Sequence, residues 1–262
     1  FLMTSGGGLT TLETAIRFPI RLVESGPAGG AILASYIARE CNVENLVSFD
    51  MGGTTAKICL IDSFEPQSTR AFEVARVYRN LKGSGLPVRI PAIEMVEIGA
   101  GGGSIAHIDA MGRINVGPES AGAEPGPACY DQGGDVPTVT DADVILGRID
   151  PDRFAGGRVK MAPDRAYEAI RKAIGTATNM TDSLSAFGIS EIVDENMASA
   201  ARVHAIEWGK DISARAMIAF GGAAPLHASR LAEKLDIDKV IIPTGAGVGS
   251  AIGFLRAPVA YE

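Results

Sequence analysis

Apolar positions recur in two rhythms along this chain. In "LVSFDMGGTTAKICLID" (46–62) an apolar run reaches Asp50, breaks at Gly52-Gly53, passes Thr54 and Thr55, and resumes at Ala56, Ile58 and Leu60. Alternation after a glycine break predicts two strands joined by a tight turn that carries an acid and two hydroxyls. Elsewhere the rhythm is helical. Residues 11–15 and 27–40 read as helices, the second preceded by Ser25 and Gly26, with Pro27 in the first turn, where its missing N–H costs nothing. Ala166, Ile170, Ala173 and Ile174 form one helical face, with Gly175 as its C-cap. Val193, Met197, Ala201, Ala205 and Trp208 form another, and Ile192 and Val203 widen it into a core helix covered on more than one side.

The last third alternates cleanly: strand "AMIAFGG" (216–222), helix "PLHASRLAEKL" (225–235), strand "KVIIP" (239–243), helix "GVGSAIGFL" (247–255). This order implies parallel strands with crossover helices. Residues 65–160 have another texture, holding most of the glycine and proline, with strand-like runs at 95–98 and 113–116. Apolar residues recur throughout it, so it reads as a loop-rich insertion with short strands and not as disorder. The expected organisation is a lead-in with a connecting helix over 1–40, then one α/β lobe over 41–262 interrupted by the insertion at about 65–160.

Composition narrows the partners. With 262 residues and 46% hydrophobic content the chain can bury a real core. A net charge of −7 without a basic cluster argues against nucleic acid or an anionic membrane surface. Three scattered cysteines, Cys41, Cys59 and Cys129, fit neither a disulfide framework nor a zinc ribbon, and the expected location is cytoplasmic. No apolar stretch is long enough to span a membrane. The opening "FLMTSGGGLTTLETA" reads as the middle of a longer protein. Glycine is in excess, 32 residues, against roughly 7% in average proteins, so backbone must come close to ligand or to other backbone.

Three glycine turns compete for a nucleotide. "EIGAGGGSIAHID" (97–109) resembles a dinucleotide fingerprint, yet Ser104 replaces the third glycine and a strand-like run follows where a helix is needed to hold pyrophosphate. "PTGAGVGSAIG" (243–253) does open a helix, but the ribose-binding acid expected roughly 20 residues later has no place before residue 262. "FGGAAPLHA" (220–228) puts Gly221 and Gly222 at a strand end and Pro225 at a helix start, which suits a flat ring or a phosphate, or a plain connection between elements. No P-loop pattern occurs.

The order of the blocks is more telling than any one of them. "SGPAGG", "DMGGTTAK", "GAGGGSIA", "VGPESAGAEPGPACY", "PTVTDA", "FGGAAPLHA" and "GVGSAIG" together resemble the hydantoinase A and 5-oxoprolinase family, over nearly the whole chain. The resemblance implies the second lobe of an actin-like ATPase (ribonuclease H-like) fold: a mixed sheet with flanking helices and a loop-rich β insertion. It implies ATP with Mg²⁺ as cofactors, and opening of a cyclic amide of the hydantoin or 5-oxoproline type through phosphoryl activation of its carbonyl. A subunit of an ATP-dependent ketone carboxylase and a non-catalytic actin-like nucleotide-binding scaffold are the alternatives. The family's first Asp-Gly-Gly-Thr hairpin is not in this sequence, so the resemblance further implies an N-terminal lobe outside it, inactivity of these residues alone, and a hydantoinase B-type partner subunit. Two positions depart from the family: Lys57 stands where Asp is common, and Val96-Glu97-Ile98 where a His is common. They leave the substrate, and any metal in the insertion, open.

On this resemblance the amides of Gly52, Gly53 and Thr54 form a concave anion site, with hydroxyls from Thr54 and Thr55. Asp50 is the expected catalytic residue, near Mg²⁺ through water, where the plain reading is an acid capping its own turn. Gly221, Gly222, Ala223 and Pro225 would meet adenosine, with Gly247 and Gly249 close by. Lys57 either reaches a phosphate or sits solvated. His107, His204 and His227 show no metal-ligand spacing; His204 reads as a core histidine, and His227 as a nucleotide contact or a cap. Cys129 reads as a small buried thiol and not as one ligand of a site with Asp141 or Asp143 and Glu97.

Overall fold

The computed structural model describes residues 1–74 and 83–259; part of the expected insertion (75–82) and the last three residues lie outside them. Six strands form one mixed sheet: β1 (Leu46–Met51), β2 (Ala56–Asp62), β3 (Glu65–Pro66), β4 (Val96–Ile98), β5 (Ala216–Phe220) and β6 (Val240–Ile241). β1 and β2 are the expected hairpin, antiparallel with Asp50 opposite Lys57. β5 runs parallel to β1 with Phe220 opposite Asp50, and β6 runs parallel to β5, as strand–helix–strand spacing implied. β4, from within the glycine-rich region, adds to the other edge of β2 and sets Glu97 opposite Lys57.

Seven α-helices matter for the site: α1 (Leu12–Arg17), α2 (Ser25–Glu40), α3 (Val139–Ile145), α4 (Pro163–Ile170), α5 (Asp182–Glu207), α6 (Ala224–Lys234) and α7 (Gly249–Phe254). The period-two pattern sorts the sheet into two faces. Val47, Phe49, Met51, Ile58, Leu60, Met217 and Ala219 pack under α5 and α6. Leu46, Cys59, Ile61, Ile218 and Phe220 pack under the alanines of α2. Asp50 lies on this second face.

Two of the small-residue blocks turn out to be each other's partners. A Cβ on Gly253 of α7 would stand 1.8 Å from the carbonyl oxygen of Gly29 on α2, and one on Gly29 would stand 2.6 Å from that of Ser250. Only glycine lets these helices approach so closely.

Several boundaries differ from expectation. α2 starts two residues early, at Ser25, with Glu24 before it in the left-handed region (φ 61). Gly175 is not a C-cap: α4 continues through a π turn (Arg171–Gly175) and one short turn, and the left-handed stop is Asn179 (φ 56). Gly175 instead leaves room for the Met180 carbonyl, 3.3 Å from where its Cβ would be. α3 was unforeseen. It is fixed by a capping box in which the Thr138 hydroxyl accepts from Asp141 N at 3.3 Å and the Asp141 carboxylate accepts from Thr138 N at 2.8 Å. Among the described residues no helix is long and apolar enough to cross a membrane.

Candidate functional site

The hairpin tip between β1 and β2 is closed by Gly52 N donating to Thr55 O at 3.1 Å, so of the three amides expected to hold an anion the Gly52 amide is engaged within the turn itself. Its carbonyls are tied back. Gly102 N donates to Gly52 O at 3.0 Å and Gly103 N to Gly53 O at 2.6 Å, while a Cβ on Gly101 would stand 2.6 Å from Gly53 C and Thr54 N. The "GAGGGS" block is therefore a buttress pressed flat against the tip. That block is in turn gripped by α3, since Thr140 donates to Gly102 O from both N (2.7 Å) and Oγ1 (2.8 Å). With the carbonyls engaged behind, the amides of Gly53 and Thr54 make no backbone hydrogen bond among the described residues, and both residues are exposed. Unpartnered amides at an exposed turn, flanked by hydroxyls, are the groups from which an anion site can be built. Gly101→Ala is expected to destabilise the protein by about 1–3 kcal/mol through overpacking on backbone, read as a lowered denaturant midpoint.

Asp50 stands beside this tip, half-buried at the end of β1. Its Oδ2 accepts from Ser250 Oγ at 2.8 Å. A Cβ on Gly221 (φ 97) would come within 2.6 Å of Oδ1, and one on Gly30 within 3.3 Å of Oδ2. Burial raises the Asp50 carboxyl above the ordinary range, and the Ser250 hydrogen bond and the Lys57 charge oppose it. The 221–223 turn is fastened to the same place, with Gly221 N donating to Ala246 O (2.8 Å) and Ala223 N to Met51 O (2.9 Å).

The other expected site residues fall as follows. Gly222 and Gly247 are exposed with open space where a Cβ would go. Pro225 is in the first turn of α6. Gly249 is buried, and its missing Cβ is replaced by the Phe220 ring at 2.9 Å, so a packing need accounts for that glycine. Lys57 is neither free nor fully solvated: its Nζ donates to Thr55 Oγ1 and pairs with Glu97 at 3.1 Å. Glu24 lies close to the pair; burial and then Glu97 raise its carboxyl, and Lys57 lowers it.

His227 corrects both readings of it. It neither caps α6 nor faces the tip, but is fully buried, with Nδ1 2.7 Å from Asp194 of α5 and Nε2 3.2 Å from Asp143 of α3. Arg148 completes the cluster, donating to Asp143 at 3.0 Å and to Ser190 at 2.6 Å. Burial alone would lower the imidazole, yet the two carboxylates outweigh it and push His227 up to about 9. Nothing in the spacing of residues 143, 148, 194 and 227 signals this cluster. His204 is buried, as expected. Cys129 is a buried thiol, pushed up by burial and then by Asp141. Asp141 accepts from Ala128 N, Cys129 N, Thr138 N and Thr138 Oγ1, which makes it a loop clamp. Among the described residues no three His, Cys, Asp or Glu side chains gather to hold a metal.

An α/β protein whose mixed sheet carries an acid to the root of a buttressed Gly-Gly-Thr-Thr hairpin is thus the class that fold and site define. The chain belongs to the hydantoinase/oxoprolinase family, matched over residues 1–262. An uncharacterized protein of Methanocaldococcus jannaschii is 42% identical over 98% of this chain and 38% of its own length. Caprolactamase subunit alpha of Pseudomonas jessenii is 35% identical over 98% of this chain and 36% of its own. Among solved structures, nucleotide-free acetone carboxylase, described under ATP-dependent acetone carboxylation, superposes with a TM-score of 0.85 at 29% identity, over 97% of this chain and 34% of that one. The chain spans about a third of the length of these relatives.

Proposed function

We propose that this chain is the second, nucleotide-holding lobe of an actin-like, ATP-dependent enzyme that activates a carbonyl oxygen. The observation that carries the proposal is the hairpin whose carbonyls are bonded from behind while the Gly53 and Thr54 amides, at exposed positions beside Asp50, make no backbone hydrogen bond among the described residues. These residues fit MgATP: amides and the Thr54 and Thr55 hydroxyls for phosphate oxygens, and a carboxylate for the water shell of Mg²⁺. Bound MgATP supplies a phosphoryl group that turns the oxygen of a cyclic amide or an enolisable ketone into a leaving group. The protein's share is to position reactants and stabilise charge. Asp50 would hold the water shell of Mg²⁺ or orient the attacking group. Lys57 donates to Thr55 Oγ1, so the Thr55 proton stays available for phosphate.

A cyclic amide is the first substrate class, on the family description and the caprolactamase likeness. The acetone carboxylase likeness favours a ketone as the second. The whole protein, with a hydantoinase B-type partner subunit, is the unit to assay. ADP release is expected to rise with one of caprolactam, hydantoin or 5-oxoproline, or with acetone plus bicarbonate. No rise with any of them contradicts the enzyme reading and favours a nucleotide-driven scaffold.

The 221–223 turn offers the adenosine face. Gly222→Val is expected to weaken MgATP binding by roughly tenfold or more through occlusion of the ring or ribose, with an unchanged melting temperature because the position opens onto free space. Titration calorimetry and thermal unfolding check the two halves.

A further inference from the structure

We infer that Ser250 is a positioning residue for Asp50, holding the carboxylate in the one orientation in which it can serve the proposed ATP chemistry. This role rests on the reading of Asp50 given above. Ser250 lies in the first turn of α7, and its Oγ donates to Asp50 Oδ2 at 2.8 Å across 200 residues of sequence. A serine hydroxyl near a helix start commonly bonds to nearby backbone. Here it is spent on a strand-end carboxylate instead.

The hydroxyl is rigidly placed. α7 packs closely against α2 where Gly253 meets the Gly29 carbonyl, and against β5 where Gly249 meets the Phe220 ring, with no room for a Cβ at either contact. The carboxylate is equally confined, because Gly221 lies against Oδ1 and Gly30 of α2 lies against Oδ2 with no side chain between. Ser250 therefore fixes the torsion of a group whose backbone is already fixed by β2 and β5. The charged group facing Asp50 from β2 is Lys57, engaged with Glu97 of β4 and near Glu24 before α2; α7 contributes Ser250, and β5 the apolar Phe220. A hydroxyl bonded to the ionised carboxylate favours that form and offsets part of the effect of burial.

Ser250→Ala in the full-length protein removes one oxygen atom and puts the best helix former in its place. It is expected to lower kcat for ATP by roughly 10–100-fold, as loss of a supporting partner does, with KM for MgATP nearly unchanged. A serine that served packing alone would not produce this split between kcat and KM in a folded variant. If the wild-type protein turns over ATP and folded Ser250→Ala matches it in kcat, the positioning role is wrong while the ATP reading stands. If the wild-type protein neither binds nor turns over MgATP, the ATP reading fails and this role fails with it.

Discussion

Asp50→Asn in the full-length protein is expected to cut substrate-dependent ATP turnover by roughly 10³-fold or more, while MgATP affinity stays within about tenfold. The asymmetry follows from where Asp50 sits. On the proposed reading, ground-state phosphate contacts come from the hairpin amides and hydroxyls, which the substitution leaves in place, and the carboxylate acts mainly on charge that moves during transfer. Asparagine is nearly isosteric and still accepts from Ser250, so the cleft between Gly30 and Gly221 is not disturbed. Steady-state kinetics alongside calorimetric binding separate the two effects. Near-normal turnover would reduce Asp50 to a turn acid. In the nucleotide-free protein, burial holds its carboxyl above the ordinary range.

His227→Leu is expected to cost about 3–5 kcal/mol of stability, the range for breaking a buried charge cluster by removing one partner. Leucine leaves Asp143 and Asp194 facing each other in the core without the cation between them. Arg148 neutralises only the Asp143 side. The wild-type protein also gains a pH signature. The folded imidazole titrates at about 9, above its ordinary 6.5, so its contribution is fully present below about 6.5 and is lost as pH rises through 9. Denaturant midpoints measured from pH 6 to 10 should therefore fall for the wild type and lose that component of the fall in His227→Leu. Parallel curves would mean that the imidazole is neutral in the fold. The cluster also bears on the site, because Asp143 belongs to α3, whose Thr140 grips Gly102, which in turn holds the Gly52 carbonyl.

What the sequence disclosed was local. An apolar run into Asp50, the Gly52-Gly53 break and the alternation beyond it set the hairpin, and the strand–helix–strand run from Ala216 to Ile241 set the parallel half of the sheet. Block order was enough to place the family. What it withheld was pairing between distant segments. Nothing local says that three glycines at 101–103 lie against a hairpin fifty residues earlier, or that Gly29 and Gly253 exist for one another. A glycine needed for close approach and one needed for a ligand look identical until the neighbour is known, which is why Gly249 read as a nucleotide contact although Phe220 fills its missing Cβ. His227 misled for the same reason: the residues that fix its role lie 33 and 84 positions away.

The most direct test is a structure of the full-length protein with Mg²⁺ and a non-hydrolysable ATP analogue. The account predicts phosphate oxygens within hydrogen-bonding distance of the Gly53 and Thr54 amides, Asp50 facing the metal's water shell, and the adenosine beside Gly222. An analogue bound at saturation elsewhere, with the hairpin tip in contact with solvent alone, would contradict it.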